Sequence, residues 1–166
     1  MELRSVEELM DLLYGCRGAA GTPDHRSRPV DLHDHALRTA ALLRRRRPAD
    51  KELQVAGLVH DIGHLLRPGT GAGSSGRSAA ADRAAAAVRG LLGERVFRLL
   101  RQQADAGEDV MRDEDALALR QADEEAHTTG LDAGVLEDWR TVLELVAAQA
   151  ARTCQAAGNQ RLGATD

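Results

Sequence analysis

VAGLVHDIGHLL, residues 55–66, carries an apolar stretch straight into a His-Asp doublet, with a glycine and a second histidine following. Val55, Ala56, Leu58 and Val59 leave no polar face, so the segment reads as the buried end of a helix. Asp50 stands where an N-cap is wanted, and Gly63 marks the end or a turn just past it. The doublet His60–Asp61 thus sits where a buried helix stops.

The same 3.6-residue period extends outward in both directions. Upstream, Asp31 can cap a helix whose Leu32, His35, Ala36, Thr39 and Leu43 share one stripe, ended by Pro48. Ser5 and Glu8 make a capping-box pattern for a short first helix reaching about residue 14. Between them, GCRGAAGTPDHRSRP (15–29) reads as a loop. Downstream, PGTGAGSSGRS (68–78) is a flexible connector by composition. An Ala-rich helix is expected over 79–92, broken at Gly93, then a short one over 94–106. Further helices are expected over 113–127 and 135–157, with a frayed tail at 158–166. The expectation is an all-α chain, one domain over 1–166 with its core at about 31–157, built as a bundle of six or seven helices.

Composition agrees with that fold class. Of 166 residues, 43% are hydrophobic and only 2% aromatic, namely Tyr14, Phe97 and Trp139. A core of Leu, Ala and Val with few β-branched residues excludes an all-β fold. The net charge is −4, and Lys51 is the single lysine among 22 basic residues, as a GC-rich coding bias would produce. Scattered arginines without interleaved aromatics argue against a nucleic-acid partner. No apolar run approaches the roughly 18 residues a membrane span needs. MELRSVEELMDLL (1–13) is acidic and amphipathic, unlike a secretory signal. Cys16 and Cys154 suggest neither a disulfide framework nor a thiolate metal site. A cytoplasmic location with free thiols is the expectation.

Six histidines carry the chemistry. His60 and Asp61 pair a neutral imidazole with a carboxylate, a set suited to Fe, Mn, Zn or Ni. His35 lies on an otherwise apolar stripe, and burying its ring costs free energy unless it is paired or bound. His33 points about 160° away from His35 around the helix, so the two do not share an ion. His25 and His33 read as solvated. The run Arg44–Arg47 reads as a solvated helix end, favoured by the dipole. Trp139, with Leu136 and Leu143, reads as core.

On HDIGH (60–64) and the upstream His35, the chain resembles the HD-domain superfamily, whose members hold metal through an H…HD…D pattern. HALRTAALLRR (35–45), LRQADEEAH (119–127) and GLDAGVLEDWRTVLE (130–144) are similar to segments of the HD-domain oxygenases of phosphonate breakdown. The likeness covers about 31–66 and 117–145. It implies metal ligands His35, His60, Asp61 and Asp123, the last chosen over Glu124 and Glu125 because the pattern calls for Asp. It also implies that Arg120, one turn before Asp123, holds a phosphoryl group, and that His64 contacts substrate or relays a proton. His127 falls where those oxygenases carry a lysine. Their two additional histidine ligands have no counterpart between His64 and His127, and Asp82 falls near the first of those places. Their gating tyrosine and glutamate would fall near His25 and Arg28.

With four ligands, the expected cofactor is one divalent transition metal per chain (Fe, Mn, Zn or Ni), and the expected partner is a small anionic metabolite. The expected activity is hydrolysis of a small phosphorylated or phosphonate-like metabolite by metal-activated water. Two alternatives stand beside it: an iron oxygenase of a phosphonate- or polyol-like molecule, and a catalytically degenerate binding or accessory module. The bland reading has His60 and Asp61 capping helices, His64 in a helix-end hydrogen bond, Asp123 paired with Arg120, and Asp82 as an N-cap.

Overall fold

Four of the anticipated capping residues start helices in a computed structural model, which describes residues 1–19, 31–66, 77–103, 113–128 and 130–162. Ser5 opens α1 (Val6–Gly15) by accepting from the Glu8 amide at 3.2 Å. The return bond of the box is displaced by one residue: the Glu8 carboxylate accepts from the Arg4 amide at 2.7 Å. Asp31 opens α2 (Leu32–Arg46), taking the His33 amide at 2.9 Å, and its other oxygen takes the Gly18 amide at 2.7 Å. Asp50 opens α3 (Lys51–Val59), and Asp113 opens α5 (Glu114–Ala126). Such caps satisfy amides that the helix itself leaves unpaired, each contributing about 1 kcal/mol.

Between them α4 runs Arg77–Gln103, and Gly93 breaks it with φ +88°, as its position in the sequence suggested. A 3-10 turn over Leu136–Trp139 leads into α6 (Arg140–Leu162), so the regular helix begins later than residue 135. It also continues past 157, and residues 151–158 are exposed along it. The protein is all-α: six α-helices and no strand among the described residues. No helix there is long and apolar enough to cross a membrane. His25, Arg28, most of the 15–29 loop, residue 67, residues 68–76 of the connector, 104–106 and 163–166 lie outside the described residues.

The apolar helix ending in the doublet is the centre of the bundle. Leu53, Val55, Ala56, Leu58 and Val59 are all fully buried, and α3 packs against α2, α4, α5 and α6. With so few aromatics, close helix approach replaces bulk: a Cβ on Gly57 would fall 2.5 Å from Leu43 Cδ1. Past the doublet, the chain tightens into a second 3-10 turn, Ile62–His64, pressed against the start of α4.

Arg95 on α4 ties the helix starts together. It forms two bonds to Asp50, at 2.7 and 2.6 Å, and reaches Glu52 at 3.0 Å and Asp115 at 2.8 Å. The guanidinium bond holds the Asp50 carboxyl below its usual range against the opposing effect of burial. A depressed carboxylate contributes stability that is present above its unfolded pKa near 3.9 and lost as pH falls through the folded value. Asp50→Asn keeps a good cap and removes only the charge, so it should cost about 1 kcal/mol, modest because the pair is partly exposed. Urea denaturation should resolve this gap at pH 7 and find it closing by pH 3.

Three expectations need correction. His33 is not solvated: it is buried, and its Nδ1 lies 3.0 Å from the Leu13 carbonyl oxygen, meeting an acceptor at the α1 terminus. The arginine run does more than face solvent. Arg44 lies over the buried Trp139 ring, 4.7 Å from its centroid, Arg46 pairs with Glu125, and Arg47 reaches Asp115 at 3.2 Å. Asp82 is inside α4 rather than at its cap, exposed and paired with Arg101 at 3.2 Å. Cys16 is buried, which pushes its thiol up to about 12, with the Asp61 and Asp31 carboxylates adding to the effect; Cys154 is exposed.

Candidate metal centre

Three helix positions bring the imidazoles and carboxylates together. His35 enters from the buried face of α2, His60 and Asp61 from the end of α3, and Asp123 from α5. His35, His60 and Asp123 are each less than 10% exposed, and Asp61 stands at the rim. His35 Nε2 lies 2.8 Å from Asp123 Oδ1 and 3.7 Å from Asp61 Oδ2. His60 Nε2 lies 3.3 Å from each of the same two oxygens.

Local structure aims these groups. His60 Nδ1 sits 2.8 Å from the Gly57 carbonyl oxygen, so in the neutral ring the proton resides on Nδ1 and Nε2 keeps its lone pair. The bond satisfies a carbonyl left over at the end of α3 and fixes the ring, as outer partners of metal-binding histidines commonly do. His60 Nε2 is buried with no hydrogen-bond partner among the described residues, and so is His35 Nδ1. Asp61 occupies the N-cap position of the 3-10 turn, yet its carboxylate makes no capping bond there. Capping therefore does not account for Asp61. On the far side, Gln103 Nε2 donates to Asp123 Oδ2 at 3.0 Å, leaving Oδ1 towards the histidines.

The charges are mutually dependent. Burial disfavours a charged His60, but the Asp61 and Asp123 carboxylates outweigh it and hold the pKa up at about 9. Burial likewise opposes ionised Asp123, and the bond from His35 together with the adjacent His60 overcomes it, keeping the carboxyl far below its usual range. The pocket attracts positive charge in a place largely closed to water.

Distances decide whether a cation fits. Donors bound to one ion at about 2.1 Å lie no more than about 4.2 Å apart. The four His–Asp separations above all meet that limit, and within a wider span of 4.8 Å the donor atoms form two triads that share His35, one with His60 and Asp61 and one with Asp123 and His127. Two imidazoles and two carboxylates form a borderline donor set suited to Fe, Mn, Zn or Ni. The geometry and chemistry of the residues fit a divalent transition metal.

The remaining candidates stand around this group. His64 is half-buried, with Nε2 3.7 Å from Asp61 Oδ1, the oxygen not shared by His35 and His60. Arg120 is half-buried on α5, one turn before Asp123. Glu124 is exposed and Glu125 pairs with Arg46, so of the three consecutive acids Asp123 is the one beside the histidines. Asp82, paired with Arg101, is apart from the cluster. Gln103 was not singled out by sequence, since nothing in a polar helix end marks one glutamine from the next. His127, at the end of α5, stacks on His35 with centroids 4.2 Å apart and planes 19° from parallel. The chain matches no protein-family model and no curated protein, so the case for a metal centre is geometric.

Proposed function

We propose that His35, His60, Asp61 and Asp123 hold one divalent transition cation, and that the protein is an HD-type hydrolase of a small phosphorylated or phosphonate-like metabolite. The convergence of two imidazole Nε2 atoms on the same pair of carboxylate oxygens supports this reading most. A cation bound there supplies Lewis acidity, lowering the pKa of water and polarising a phosphoryl oxygen. Arg120 presents a planar guanidinium suited to two-point contact with a phosphoryl group. His64 is within reach of holding or moving a proton beside Asp61 Oδ1. Asp61, partly open to solvent, is the side from which a small anion enters. Those roles extend the HD resemblance of HDIGH and of the α5 segment.

The test is turnover of a panel of phosphomonoesters and phosphonates by protein loaded separately with Mn, Fe, Co, Ni and Zn. Hydrolysis that disappears in Asp123→Ala supports the proposal; hydrolysis that survives this change ends it. Oxygen-dependent turnover with two irons per chain would replace it by the oxygenase reading. Gln103→Leu, which removes the bond to Asp123 Oδ2, should weaken cation binding by about 10-fold with the fold intact. Isothermal titration beside a thermal melt checks both halves of that expectation.

A further inference from the structure

We infer that His127 is a fifth protein ligand of the cation held by His35, His60, Asp61 and Asp123, an inference that rests on that cluster being a metal site. His127 caps the end of α5 in a helical backbone conformation, four residues after Asp123, a spacing that puts two side chains on one face, one turn apart. His127 Nε2 lies 3.8 Å from Asp123 Oδ1, within the span that two donors to one ion can occupy. That oxygen is the same one that faces His35 at 2.8 Å and His60 at 3.3 Å. The donor atoms of His35, Asp123 and His127 all lie within 4.8 Å of one another.

The contrast with His64 is instructive. His64 approaches the cluster through Asp61 Oδ1, whereas His35 and His60 use Asp61 Oδ2. His127 instead shares Asp123 Oδ1 with His35 and His60. The His127 ring stacks on His35 in this structure, so ligation by both imidazoles requires His127, whose side chain is 36% exposed, to turn out of that stack. The resulting donor set has three imidazoles and two carboxylates. Extra imidazole shifts preference towards Fe, Ni and Zn and away from Mn and Mg, which favour oxygen donors. In a six-coordinate shell, five protein donors leave one position for water or substrate.

The experiment loads the full chain with Co(II), measures affinity by titration, and counts imidazoles by X-ray absorption at the cobalt edge. Three imidazoles are expected in the wild type. His127→Ala should bind one equivalent about 10- to 100-fold more weakly and contain two. His127→Phe, which keeps a stacked ring but offers no donor, should behave like the alanine variant, separating ligation from packing. Unchanged affinity and imidazole count in both variants would overturn the fifth ligand while leaving the four-residue site standing. If the wild type binds no Co(II), or His60→Ala binds it equally well, the metal-site reading itself falls and this inference with it.

Discussion

Replacing Gly63 by alanine is expected to destabilise the protein by about 3 kcal/mol or more, the upper end for an overpacked site. A Cβ at this position would lie 1.8 Å from the Ala80 carbonyl oxygen and 2.6 Å from its carbon. Both are backbone atoms of α4, so no rotamer change relieves the overlap. The turn and the helix are also tied by Arg83, whose Nε donates to the Gly63 carbonyl at 3.0 Å. Relief requires the Ile62–His64 turn to lift from α4, and that turn follows directly on His60 and Asp61. Stability and cation affinity should therefore fall together. Urea denaturation checks the first and cobalt titration the second. A variant within about 0.5 kcal/mol of the wild type would show that the turn does not bear on α4 in this way.

Asp123→Asn should have the largest effect on cation binding. Asparagine keeps the size of the side chain but removes the charge from the oxygen nearest His35 and His60. Affinity should fall at least about 100-fold, beyond the range seen when only an outer partner is lost. The linked effect on folding gives a second readout. A cation at one hundred times its dissociation constant stabilises the folded state by about 2.7 kcal/mol. The wild type should melt at higher temperature on adding that cation and return with chelator. Asp123→Asn should keep no more than about 0.4 kcal/mol of that stabilisation at the same cation concentration, a shift far smaller than that of the wild type. A cation-dependent rise of equal size in the variant would remove Asp123 from the ligand set.

Much of the fold was legible because short polar side chains mark helix starts by local chemistry. Ser5, Asp31, Asp50 and Asp113 each accept from an amide within a few residues, and Gly93 breaks α4 through its own backbone angle. Asp123 was legible only through the resemblance of the 119–127 segment, since nothing in the run 123–125 itself favours one carboxylate. His35, His60 and Asp61 were legible for a different reason. A histidine on an apolar stripe and a His-Asp doublet at the end of a buried helix both need partners. The features that were missed depend on partners distant in sequence. His33 is buried because the Leu13 carbonyl meets it, and Arg95 is half-buried because Asp50, Glu52 and Asp115 surround it. Gly63 read as a helix-ending glycine, and its closer constraint is the α4 backbone. Periodicity supplies a face but not the neighbour that face meets.

The metal-to-chain ratio of protein purified without added metal, measured by elemental analysis for the wild type and for His60→Ala, is the most direct test of the metal centre. One divalent transition ion per wild-type chain, lost from His60→Ala while that variant stays folded, is the expected result. A wild type that neither carries such an ion nor takes one up on dialysis against Mn, Fe, Co, Ni or Zn would contradict it.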